Sequence, residues 1–128
     1  MPLEGETSEE WMELARSDLA VARAARVPDA VPATPCFLAQ QAAEKGLKAV
    51  LLSRQAAFGR THNIGALLDL LPPDLAVPAD VEQAALLTRY AVETRYPGTH
   101  ERPTWEDYER VLRLAQAVVD WAAEIVSA

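Results

Sequence analysis

Cysteine is almost absent from this chain: Cys36 is the single one among 128 residues. One thiol excludes an intramolecular disulfide and any paired-cysteine metal site, and a reducing, cytoplasmic setting is expected. Long apolar runs are missing too. No stretch approaches the roughly 20 apolar residues that a membrane-spanning helix needs, so no membrane partner is expected. The opening stretch, MPLEGETSEEW, is acidic and lacks the apolar run of a secretory signal. Positive charge is in deficit, with 12 Lys and Arg against 19 Asp and Glu and a formal net charge of -7. A molecule of that sign repels polyanions, which excludes nucleic-acid binding by bulk electrostatics. No DNA partner is expected, and any phosphate site must be local. Nothing alternates with the period of a half-buried strand.

Half of the residues are hydrophobic, enough for one core, and residues 1–128 are read as a single domain. Nine prolines and five glycines fall mostly in clusters, around Pro28 to Pro35, at Gly59, around Pro72 to Pro78, and around Pro97 to Pro103. Between them the pattern predicts helices over roughly 8–26, 35–55, 63–71, 80–95 and 104–126. Thr7-x-x-Glu10 and Thr104-x-x-Asp107 resemble capping boxes, Thr34 precedes a first-turn Pro35, and Asn63 and Asp80 are placed to cap the third and fourth helices. The expected architecture is all-α: an up-and-down bundle of four long helices plus one short helix.

The last helix carries two apolar stripes. Trp105, Tyr108, Leu112, Ala115, Val119, Ala122 and Val126 form one; Val111, Leu114, Val118, Trp121 and Ile125 form the other. Only the arc through Glu109, Arg113, Gln116, Asp120 and Glu124 is clearly polar. Either a second copy of the chain covers part of that width, or two helices of the same chain cover both stripes.

Polar residues stand where a core is expected. Asp18 falls in the stripe of Trp11, Ala15 and Ala22 on the first helix. On the second, a small-residue face through Ala39, Ala43, Gly46 and Val50 permits close helix approach, and a band of Gln41, Glu44, Lys45 and Lys48 runs beside it. Glu44 and Lys48 are a favourable i,i+4 pair. These charges are expected to join Asp18 in a network between helices, whose role is either to fix helix register or to serve a site. Arg95 follows Ala84, Leu87, Thr88 and Ala91 on the face of the fourth helix, and His100 lies in the loop beyond it. His62 and His100 lack a nearby carboxylate cluster and make a poor ligand set, so no metal or other cofactor is expected. Cys36 reads as a small buried thiol, and Trp11, Trp105 and Trp121 as core or interface.

The segments WMELARSDLAVA, CFLAQQAAEKGLKAVLL, THNIGALLDLLP and LLTRYAVETRYPG, in that order, resemble the HEPN domain, a small helical domain of prokaryotes. The Gln-Ala-Ala-Glu-Lys run at 41–45 with Lys48, Thr61-His62 and Arg95-Tyr96-Pro97 carry the resemblance most specifically. It implies a four- to five-helix bundle that is generally a homodimer. Many such proteins are encoded beside a minimal nucleotidyltransferase, in pairs that behave as toxin and antitoxin. Others are metal-independent ribonucleases acting through an arginine and a histidine with four to six residues between them, a spacing that Arg95-Tyr-Pro-Gly-Thr-His100 meets with four. In such a pair His100 would exchange a proton with the ribose 2′-hydroxyl or the leaving 5′-oxygen. Arg95 would clamp the scissile phosphate. Ribonuclease members commonly have a polar residue after the arginine and a tyrosine two places past the histidine; here those positions are Tyr96 and Arg102. The competing expectation is a non-catalytic nucleotide-binding or protein-interaction module whose groove is shaped by Asp18, Gln41, Glu44, Lys45, Lys48, Arg95 and Tyr96.

Overall fold

The computed structural model describes residues 6–91 and 102–128. Among them every regular element is helical: α1 (Ser8–Arg23), α2 (Ala33–Ser53), α3 (Ile64–Asp69), α4 (Ala79–Gln83), a 3-10 segment (Ala84–Ala91) and α5 (Trp105–Ser127). The all-α bundle is thus as expected, while the fourth segment departs from a long regular helix. It is one turn of α-helix that tightens into the 3-10 segment. Ala84 and Leu87 are buried and Tyr90 half-buried at a spacing of three, the period at which side chains eclipse in a 3-10 helix. The expected continuation to residue 95 lies outside the described residues.

Caps explain where several helices begin. Thr7 accepts from the amide of Glu10 at 3.1 Å, and Asn63 from that of Ala66 at 3.0 Å. Thr104 and Asp107 form a reciprocal capping box, with bonds of 3.0 and 2.8 Å. Two expected caps are displaced. α2 starts at Ala33, so Pro32 occupies the cap position and Thr34 and Pro35 lie in the first turn. Pro78 precedes α4, which leaves Asp80 inside it. Proline fits these places because the first-turn amides have no helical partner to lose.

α2 is the central helix, packing on α1, α3, the 3-10 segment and α5. From Pro35 to Leu51 every position is buried or half-buried, as a helix surrounded on all sides requires. Ala39, Ala43, Gly46 and Val50 are fully buried. A Cβ built on Gly46 would sit 3.5 Å from Cβ of Ala122 and 3.6 Å from Cγ1 of Val118, so the missing side chain lets α5 approach.

Both stripes of α5 find cover within the chain. Tyr108, Ala115, Val119 and Ala122 are buried, and so are Val111, Val118 and Trp121 of the second stripe. α1, α2, α4 and the 3-10 segment all lie against this helix. Trp105, Leu112, Leu114, Ile125 and Val126 of the same stripes are half-buried. No helix of the described residues is long and apolar enough to cross a membrane.

Candidate functional site

The polar band of α2 resolves into two clusters. Lys45, half-buried, reaches across to α1 and donates from Nζ to Oδ2 of Asp18 at 2.6 Å. Glu44, only 2% exposed, lies deeper. Its Oε2 accepts from Lys48 Nζ at 3.0 Å, its Oε1 from Gln40 Nε2 at 3.2 Å, and Nδ1 of His62 lies 3.0 Å from Oε1 and 3.1 Å from Oε2. Gln40 also donates to the carbonyl of His62 at 3.3 Å and accepts from Nε2 of Gln41 at 2.8 Å. The ammonium of Lys48 stands 5.4 Å from the Trp11 ring centroid and 5.7 Å from that of Phe58, close enough for both rings to stabilise the charge.

These distances decide what the cluster can do. A carboxylate accepts, so a hydrogen bond here takes its proton from Nδ1 of His62, whose side chain is 67% exposed. Every polar side-chain atom of Gln40, Glu44 and Lys48 is directed at a partner inside the chain. The cluster therefore ties α2 to the loop before α3 and leaves no buried charge for a ligand to satisfy. Asp18 and Lys45 likewise neutralise one another. Gln40 is the member that the sequence pattern did not single out, and His62, noted there with Thr61, was not paired with Glu44. Gln40, Glu44 and Lys48 recur every four residues, a polar stripe on a helix buried all round, and that signal was available. His62 sits in a loop, where helical periodicity says nothing.

Arg95, Tyr96 and His100 lie outside the described residues, but the elements on either side of them are well anchored. Before them, Thr88 of the 3-10 segment accepts from the amide of Ile64 at 2.9 Å, pinning that segment to the start of α3. After them, the Thr104 capping box starts α5. The ring of Tyr90 lies near Cys36, Arg89, Asp107 and Arg110; burial first, then Cys36, raise its hydroxyl pKa, while the two arginines oppose the rise. Burial, with a smaller contribution from Asp107, pushes the Cys36 thiol up to about 12. That removes Cys36 as a nucleophile near neutral pH.

A model of the HEPN domain family matches residues 8–126. Two crystal structures share the fold. TT1696 from Thermus thermophilus is 35% identical with a TM-score of 0.81, over 92% of this chain and 97% of that one. ST0689, an archaeal HEPN homologue, is 27% identical with a TM-score of 0.74, over 94% and 98%. No curated protein matches the sequence. A family match across nearly the whole chain, and the same fold in an archaeal homologue, together establish that this chain belongs to the HEPN family.

Proposed function

We propose that this HEPN protein works as a homodimer and as a metal-independent endoribonuclease, paired with a minimal nucleotidyltransferase that restrains it as antitoxin. The observation that carries the reading is the Arg95-Tyr-Pro-Gly-Thr-His100 spacing in a chain of this family. His100 takes the proton of a ribose 2′-hydroxyl, the 2′-oxygen attacks the adjacent phosphorus, and the bond to the 5′-oxygen breaks. The leaving oxygen takes up a proton, giving a 2′,3′-cyclic phosphate and a 5′-hydroxyl. Arg95 offers its planar fork of donors to the phosphate oxygens as charge builds on them. Two-fold symmetry would set two such pairs on one groove.

Tyr96 and Arg102, standing where ribonuclease members have other residues, favour a second reading: a non-catalytic nucleotide-binding or protein-interaction module. Against a groove shaped by Asp18, Glu44, Lys45 and Lys48 stands the mutual satisfaction of those charges.

The deciding experiment incubates the purified protein with an unstructured RNA in the presence of a chelator, beside Arg95→Ala and His100→Ala. Cleavage to cyclic-phosphate ends that both substitutions abolish supports the ribonuclease. An inert wild-type protein, or cleavage that survives either change, removes it. Sedimentation of the same samples tests the dimer, and co-purification with the product of the neighbouring gene tests the pairing.

A further inference from the structure

A groove of about 360 Å³ opens between the 3-10 segment and α5. Arg89 and Tyr90 line one wall together with Leu86; Arg110, Arg113 and Leu114 line the other. Among the described residues no acidic side chain lines it, although acids outnumber bases 19 to 12 in the whole chain. Arg110 is braced from outside the lining by Asp107, one turn earlier on α5. Arg113, exposed, makes no ion pair among the described residues. Leu86 is 70% exposed at the rim, an apolar surface next to three guanidinium groups.

We propose that this groove is where single-stranded RNA lies on the protein, a role that rests on the ribonuclease reading and supplies its binding surface. Arg110 and Arg113 are one turn apart on the same helix, which sets their side chains roughly 5–6 Å from one another at Cβ and lets them hold successive phosphates of one strand. Leu86 presents apolar surface to a base, a sequence-tolerant contact that complements the charge. The wall formed by Ala84–Ala91 runs on in sequence to Arg95, four positions beyond its end. The local charge also resolves the conflict between an anionic ligand and a chain of net charge -7. At physiological salt, screening over roughly 8 Å leaves the groove's own arginines to dominate what it attracts.

The test is fluorescence anisotropy with a labelled homopolymeric oligoribonucleotide, measured across a salt series, on full-length protein. Arg113→Gln and Arg110→Gln are compared with wild type and with Arg16→Gln, an exposed arginine of α1 away from the groove. Each groove substitution is expected to weaken binding about tenfold and to flatten the slope of log affinity against log salt by about 0.7. Arg16→Gln is expected to change neither. Circular dichroism on each variant checks that the helices remain, and Arg113→Gln, which breaks no ion pair among the described residues, stands if Arg110→Gln disturbs the fold. Wild-type affinity and slope in Arg113→Gln overturn the groove while leaving any cleavage by Arg95 and His100 intact. Tight binding that the groove variants lose, from a wild-type protein that cuts no RNA, upholds the groove and removes the ribonuclease. Binding of free nucleoside triphosphate with no binding of the oligoribonucleotide overturns the proposal, since one site would then be taking a small anion and no strand.

Discussion

His62 holds its Nδ1 against both carboxylate oxygens of Glu44, at 3.0 and 3.1 Å, across 18 residues of sequence. The histidine is mostly exposed and the glutamate is not, so the bond ties a surface loop to the most buried charge among the described residues. Removing the glutamate would leave Lys48, 5% exposed, as an ammonium without a counter-charge. Glu44→Ala is therefore expected to destabilise the fold by about 3–5 kcal/mol. His62→Ala, which leaves the Glu44–Lys48 pair in place, is expected to cost about 1 kcal/mol. Urea unfolding of the two variants measures both, and equal midpoints would show that the pair contributes nothing.

Gly46 gives a prediction of opposite sign. Its neighbours on α5 stand at ordinary contact distance from where an added methyl group would sit, and glycine inside a helix costs roughly 1 kcal/mol relative to alanine. Gly46→Ala should raise the midpoint of thermal unfolding. Gly46→Leu should lower it, because a branched side chain has no room between Val118 and Ala122 and would force α2 and α5 apart. A fall in both variants would mean that the helices cannot accept even the methyl.

The start of α5 sets a pH dependence. The amide of Thr104, then desolvation opposing it, then the Thr104 side chain and Arg110, hold the Asp107 carboxyl below its usual range. A lowered folded value means that the stabilisation is complete above the unfolded value of ~3.9 and fades as pH falls through the folded one. The difference in thermal midpoint between wild type and Asp107→Ala should be constant from neutral pH down to about pH 5 and should shrink below about pH 4. A difference that persists unchanged at the lowest pH contradicts the assignment. Thr104→Ala, by contrast, should cost about 1 kcal/mol at every pH above that window.

Much of the fold was legible because caps and periodicity are local. Thr7, Asn63 and Thr104 mark helix starts that the structure keeps, and the small face of α2 announces its close contact with α5. The fourth segment departs from expectation for a physical reason. Over eight residues the pattern Ala84, Leu87, Thr88, Ala91 suits a period of 3.6, and Ala84, Leu87, Tyr90 suits a period of 3; the stretch is too short for either to win. The width of the apolar arc on α5 also admits two explanations. Within the chain, α1, α2, α4 and the 3-10 segment all contact this helix, and residues of both stripes are buried.

At the site, the sequence announces charges but not their partners. Asp18 and Lys45 do meet, whereas Glu44 and Lys48 close a separate cluster with Gln40 and His62. Which carboxylate serves which ammonium depends on how helices are rotated against each other, and that rotation is set by packing. Along the sequence the arginines of the α5 groove are only part of a polar arc and isolated cations. They become a patch because α5 and the 3-10 segment, distant in sequence, lie side by side.

The hydroxyl of Tyr108 donates to the carbonyl of Ala22 at 2.7 Å, and Arg26, 2.8 Å from Glu109, stacks 4.6 Å from the ring centroid of Trp105. The end of the first helix is thus closed by residues made 86 and 83 positions later. On the ribosome the α1–α2 hairpin would emerge with that end unsealed, its last carbonyls open to water and to proteases. Only when α5 has been translated and released from the exit tunnel does the seal form, so a nascent chain stalled before Trp105 should stay susceptible near Arg23 and Arg26, and completed protein should not.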